Sequence, residues 1–214
     1  MEMTEPTRQQ VDAANFYADV LNEISARIEF MNMAINRQMN PGLTPPFIRE
    51  IAYLQLRMMC ELVAIGCLVV HGDINDTKSA YLQKEYAANR IINRLANLHP
   101  NFYPHPVRLT VEGSTTHMDR ITEGFLTKDD LVKLYHQCGE KLHRGKLGNF
   151  KITSDKMMQG DYSDILGWGR KFIVLLEQHH IASKDNLSHF ICALNCQDTK
   201  NKAYVSIALS SIPQ

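Results

Sequence analysis

What the chain lacks narrows its class before anything else. It carries no surplus of charge: 23 Lys+Arg stand against 23 Asp+Glu, a formal net charge of zero. A phosphate footprint usually shows as excess basic charge. The balance therefore removes the strongest compositional argument for nucleic acid or an anionic membrane, while leaving room for a local basic patch. The longest uninterrupted apolar run is Leu62 to Val70, well short of the about 20 residues of a membrane span. The opening stretch MEMTEPTRQQVDAANFYADV has no apolar core of a signal peptide. Glycine-rich phosphate loops are missing: there is no GxxxxGK[ST], no GxGxxG after a strand and no GxSxG, which excludes P-loop, Rossmann and α/β-hydrolase readings and leaves no cofactor motif. Cysteine is sparse and odd in number (five), and Cys60, Cys67, Cys138 and Cys192 sit in apolar surroundings. That pattern reads as reduced, buried thiols of a cytoplasmic protein rather than a disulfide framework. With 44% hydrophobic and 21% charged residues the chain is an ordinary globular one, neither disordered nor collagen-like, and long enough to bury a sizeable core.

What is present is mainly helical periodicity. Residues 7–39 contain no glycine or proline, and Val11, Phe16, Val20, Ile24, Ile28, Met31 and Ile35 recur at helical steps until Asn40-Pro41-Gly42 breaks the pattern. Thr44-Pro45-Pro46 opens a second helix, Phe47 to His71, apolar nearly all round and so expected at the centre of the fold. Its polar interruptions Gln55, Arg57 and Glu61 must then be paired or face an interface, and Arg57 and Glu61 have the four-residue spacing of an ion pair. Asn75-Asp76-Thr77 is read as the cap of a third helix, about Lys78 to Leu98. Thr127-Lys128-Asp129-Asp130 caps a fourth helix ending near His143, and a fifth runs from about Ser163 to His180. Between residues 101 and 123 helical periodicity is lost, with a short strand-like alternation at Val107, Leu109 and Val111. Phe190–Cys196 and Tyr204–Leu209 read as a hairpin. A lone hairpin is marginal in water, so it must pack on the helices, join the earlier strand or pair with another chain. The expected architecture is a mostly α, in effect all-α, single domain over residues 1–214: a bundle of about five helices with a small C-terminal β-hairpin at about 188–210.

The fourth helix concentrates the polar chemistry. On a wheel of about 100° per residue with Leu131 at zero, Leu134, Tyr135, Cys138 and Leu142 form one apolar stripe, while His136 (about 140°), Glu140 (about 180°) and His143 (about 120°) share the opposite face. That face admits three readings: a solvated surface, a metal site completed by a fourth ligand, or a binding face completed by a second protomer. Cys192 and Cys196 are too far apart to chelate one metal if their segment is a strand, and no metal is expected. The stretch HRGKLGNFK, with Arg144 and Lys146, has basic residues near an aromatic and could touch a phosphate backbone.

Two stretches, LQLRMMCELVAIG (Leu54–Gly66) and LTKDDLVKLYHQCGEKLHRG (Leu126–Gly145), together resemble bacterial helical proteins of the HEPN superfamily, including the abortive-infection type, over about a third of the chain. The resemblance implies a compact helical dimer. In ribonuclease members of that family an arginine precedes a late-helix histidine by a few residues, and the pair cleaves RNA without metal. Here His143 matches the histidine. The arginine positions hold His136, Gln137 and Cys138, with Lys141 and Arg144 as the nearest cations. The resemblance therefore implies a catalytically degenerate or atypical module of a phage-defence or toxin–antitoxin system, binding RNA, a nucleotide or a partner protein. In it Arg57 or Arg144 would supply the missing charge, Glu61 and Glu140 would orient it, and His136, Lys141 and Lys146 would contribute to binding. The alternative is a protein-interaction module whose hairpin adds to a partner's sheet.

Overall fold

The computed structural model describes residues 5–36, 42–72, 84–113, 115–143, 155–196 and 202–210. Five helices and five strands lie in these residues: α1 (Arg8–Ile35), α2 (Pro45–Val70), α3 (Ala88–Leu98), β1 (His105–Glu112), β2 (Thr115–Arg120), α4 (Lys128–Leu142), α5 (Asp155–Leu176), β3 (Gln178–Ala182), β4 (Ser188–Cys196) and β5 (Lys202–Leu209). The strands form one antiparallel sheet in the order β2-β1-β3-β4-β5. The fold is thus mixed α/β, and the expectation of an all-α bundle with a small hairpin is wrong. The hairpin exists, and the strand-like alternation at Val107, Leu109 and Val111 lies in β1, but the sheet also holds β2 and β3, which the helical reading passed over.

Local chemistry accounts for the helix boundaries. Thr7 caps α1 through a capping box with Gln10: its hydroxyl accepts from Gln10 N–H at 3.3 Å and Gln10 Oε1 accepts from Thr7 N–H at 2.8 Å. Prolines occupy the first turn of α2, where their missing N–H costs nothing. Thr127 caps α4 by accepting from Asp130 N–H at 3.1 Å. The helix expected from about Lys78 is described from Ala88; residues 84–87 before it are not helical, and residues 78–83 lie outside the described residues. Its N-cap, Ala87, makes no side-chain cap bond; the Glu85 carboxylate accepts from Tyr86 and Ala87 N–H (3.1 and 3.0 Å) and fixes the turn that leads into the helix. The Asn75–Thr77 cap lies outside the described residues.

The fifth helix stops at Leu176, and His179 and His180, expected at its end, lie on β3. Helical propensity loses here to ladder partners on both sides. His179 pairs with Cys192 of β4 and Pro106 of β1, and His180 with Ile191 and His105. The segment 101–123 holds the β1–β2 hairpin, turned at Gly113, whose φ of +62° favours glycine.

One core joins both layers. Leu21, Ile24, Leu56, Met59, Val63, Ile91, Leu134 and Phe172 of the helices are buried with Ile181, Phe190, Cys192 and Leu194 of the sheet. α2 lies at the centre, against α1, α3, α4 and α5. By length and composition α2 could cross a membrane, but half of its apolar window is buried inside the fold. Its Arg49, Gln55, Arg57 and Glu61 are held by polar partners, as a core helix requires. Gly66 permits the α1–α2 contact: a Cβ there would lie 2.6 Å from the Tyr17 ring. The sheet's inner face packs on α1 and α5, leaving the alternate residues of each strand on an uncovered face.

Candidate functional site

Polar residues recur every fourth position along α2, at Arg49, Tyr53, Arg57 and Glu61, so they form a stripe facing α4 and α5. Each end of the stripe is a closed network. At the C-terminal end, Arg57 donates to the Tyr135 hydroxyl at 2.7 Å, stacks its guanidinium 4.2 Å from that ring's centroid, and pairs with Glu61 at 3.3 Å. The Arg57–Glu61 pair expected from spacing is therefore present. Arg57 reaches α4 at Tyr135 and beside Gly139, on the edge of the apolar stripe.

At the other end, the Asp161 carboxylate of α5, 6% exposed, accepts from the Arg49 guanidinium, from Lys141 Nζ at 2.6 Å and from the Tyr53 hydroxyl at 3.3 Å. Burial by itself would raise the Asp161 pKa. The hydrogen bonds and charges of Lys141 and Arg49 outweigh it and leave the carboxyl below its ordinary value. Lys141, expected to bind a ligand, is thus committed to an internal carboxylate.

His136, Glu140 and His143 do share the exposed face of α4, as the wheel requires. His143 is the C-cap residue, its N–H donating to Gly139 C=O at 3.0 Å. Arg144 and Lys146 lie outside the described residues. Among the described residues no three metal-ligating side chains converge on one point, so the α4 face offers no metal site within them. Cys192 lies on a strand, where residues four apart cannot share one ion.

The residues that sequence reasoning passed over lie on α3. Its apolar side, Ala88, Ile91, Ile92 and Leu95, is fully buried. Its outward side presents Asn89, Arg90, Asn93, Arg94 and Asn97, two cations and three amides without a carboxylate. The signal was legible in ANRIINRLANL as strong amphipathicity, but a helix drawn from Lys78 blurred which residues formed one face. α3 lies beside α4: Asn89 Nδ2 is 3.4 Å from His136 Nε2. Tyr86, 77% exposed, precedes the helix, and Lys133 and His136 are exposed on the adjoining helix. Glu85 holds Arg90 at 3.4 Å from below.

The chemistry elsewhere is quiet. Burial raises the pKa of the Cys60, Cys67, Cys138 and Cys192 thiols, which keeps them protonated and unreactive. A cleft of about 250 Å³ between α1, the end of α2 and the β3–β4 turn is lined by Thr7, Gln10, Val70, Ser183, Ser188 and Phe190 and contains no titratable side chain. It is smaller than most ligand sites and has no acid or base to work with. On the open face of the sheet, His180 Nε2 lies 3.0 Å from His189 Nδ1, and His189 Nε2 lies 2.8 Å from Ser210 Oγ. Burial first, then the neighbouring His189, lowers the His180 pKa to about 4, so this histidine stays neutral near pH 7. Comparison with protein-family models, curated proteins and solved structures finds no match for this chain, so the HEPN resemblance rests on its quoted residues alone.

Proposed function

We propose that the protein is a catalytically degenerate RNA-binding module of the HEPN-like kind, contacting RNA through the α3–α4 surface. One observation carries the reading: the solvent face of α3 is built from Arg90, Arg94, Asn89, Asn93 and Asn97 with no carboxylate on the helix itself, inside a chain of zero net charge; Arg90 touches Glu85 before the helix at 3.4 Å yet stays 66% exposed. Arginine forks suit phosphate oxygens, amides suit base edges and sugar hydroxyls, and exposed Tyr86 offers a stacking plane. Two observations favour binding over cleavage. Arg57, the cation that would complete a His143 centre, is spent on Glu61 and Tyr135, and Lys141 on Asp161. The neutral buried thiols suit a reducing compartment, so the reading places the protein in the cytoplasm, in a bacterial defence or toxin–antitoxin setting.

The test is binding of labelled single-stranded RNA across a salt series with EDTA present. Wild type should bind with a log–log salt dependence. Arg90→Ala/Arg94→Ala should flatten the slope by about 1.4, two phosphate contacts at about 0.7 each, and weaken binding by about tenfold or more. No RNA should be cut. Binding that ignores salt, or that survives the double substitution unchanged, would sink the reading. Cleavage that vanishes in His143→Ala would instead put a working active site at the end of α4.

A further inference from the structure

The distal part of the β1–β2 hairpin stands away from the body. β1 pairs with β3 only at His105 and Pro106, and every residue of β2 is exposed. Among the described residues no strand pairs with the outer edge of β2, whereas the opposite edge of the sheet, β5, is covered by α1, with Asn22 Oδ1 accepting from Ala203 N–H at 2.8 Å. A two-stranded ribbon is marginal alone, and an open edge is a template for another strand. The ribbon's two faces differ. One carries Leu109 opposite Met118 and Val111 opposite Thr116, with Val111 70% and Met118 43% exposed. The other carries Arg108 opposite Asp119 and Thr110 opposite His117.

We propose that β2 is the seam of a homodimer, the β2 strands of two copies pairing antiparallel about Met118. This inference is independent of the RNA reading. The occupant follows from charge and register. Arg108 and Arg120 are balanced by Glu112 and Asp119, so the ribbon offers no surplus for phosphate and suits a neutral protein surface. A two-fold axis normal to a continuous sheet keeps the faces distinct, so the pairing can centre on His117 or on Met118. Centred on His117, each His117 faces the partner's His117 and Asp119 faces a threonine. Centred on Met118, each His117 faces the partner's Asp119, Thr116 faces the partner's Arg120, and no like charges oppose. In the second register Leu109, Met118, the partner's Met118 and the partner's Leu109 form one continuous apolar row across the seam. Two edges that each waste their backbone groups in the monomer become a ten-stranded sheet.

The test uses the full chain. Wild type should run as a dimer by light scattering and dissociate on dilution. Met118→Cys should cross-link readily under mild oxidation, because directly opposed residues have Cα atoms about 4.5–5.5 Å apart, within disulfide range. Val111→Cys should not, since its two copies would lie at least three strand spacings, about 14 Å, apart. His117→Asp sets Asp against Asp119 twice by symmetry and should weaken the dimer about tenfold. All three positions are exposed, and circular dichroism checks that each variant keeps its fold; because His117 lies 3.9 Å from Glu112 of its own chain, His117→Gln, which carries no charge, serves as the control for His117→Asp. A protein monomeric at every accessible concentration overturns the proposal. So does a dimer in which Met118→Cys cross-links no faster than Val111→Cys, or one indifferent to His117→Asp.

Discussion

Replacing Asp161 by alanine should lower the unfolding free energy by about 3 kcal/mol, the low end of the range for removing one partner of a buried ion pair. Three donors lose their shared acceptor: Arg49, Lys141 and Tyr53. The Arg49 side chain is only 15% exposed and cannot simply turn to water, whereas Lys141, at 31%, can in part, which tempers the loss. The cluster is also a tie between elements distant in sequence, since it joins α2, α4 and α5. Asp161→Asn keeps acceptor atoms and should cost less than alanine. Arg49→Ala and Lys141→Ala should show coupling with Asp161 in double-mutant cycles. The pH dependence has a definite sign. The folded carboxyl has the lower pKa, so its contribution is complete above the unfolded value of 3.8 and is lost as pH falls through the folded one. The wild-type advantage over Asp161→Ala should therefore shrink on the acid limb and stay flat above about pH 5. A urea series in which Asp161→Ala costs under about 0.5 kcal/mol would reduce the cluster to a surface ion pair.

The second large effect is expected at His179, fully buried between α1 and the sheet. Its Nδ1 lies 3.1 Å from the Leu176 carbonyl and its Nε2 lies 2.8 Å from the Tyr17 hydroxyl. A carbonyl only accepts, so Nδ1 carries the proton and Nε2 accepts from the Tyr17 O–H. The neutral imidazole is thus satisfied at both nitrogens with no room for a second proton. Burial lowers its pKa from 6.5 to about 4, the hydrogen bond to Leu176 opposing and the neighbouring His180 assisting. His179→Leu strands the Tyr17 hydroxyl and the Leu176 carbonyl and should cost about 3 kcal/mol at neutral pH. Tyr17→Phe removes one donor and should cost about 1–3 kcal/mol. Because the folded pKa is depressed, the stabilisation is complete above 6.5 and drains away as pH falls toward 4, where the unfolded chain takes up a proton the native state refuses. The difference between wild type and His179→Leu should therefore narrow across that interval by up to about 3 kcal/mol, at about 1.4 kcal/mol per pH unit. His180, lowered in the same direction, remains in both proteins and cancels from the comparison. A difference that stays constant from pH 7 to pH 4 would mean that His179 takes up its proton in the fold as readily as in the unfolded chain.

The candidate surfaces divide in the same way between what is local and what is not. The sharing of one α4 face by His136, Glu140 and His143 follows from a rigid helical period, as does the Arg57–Glu61 pair, and both were visible in the residue spacing. That Lys141 turns to Asp161, twenty positions along the chain, was not visible, because nothing in the α4 sequence names its neighbour. The bare run ANRIINRLANL carried the α3 face, but only the observed start at Ala88 isolates it as two arginines and three amides beside α4.

The chain by itself marked most of α1, α2 and α4, the capping of α4 and its buried thiols, because an α-helix closes its hydrogen bonds four residues back and its capping side chains act three residues away. Thr7 with Gln10, Thr127 with Asp130 and the prolines before Phe47 are complete instructions in a few letters. The β4–β5 hairpin was legible for the same reason, its strands being only a few residues apart in sequence. The alternation of Val107, Leu109 and Val111 marked β1, but tertiary structure alone decided β2 and β3. β3 reads QHHIA, an unremarkable end to a helix, and becomes a strand because Pro106 and His105 on one side and Cys192 and Ile191 on the other supply its ladder. β2, TTHMDR, has no apolar alternation and exists because β1 lies beside it. A strand's hydrogen bonds are made with another strand, so its propensity is a property of the place it occupies rather than of its own letters.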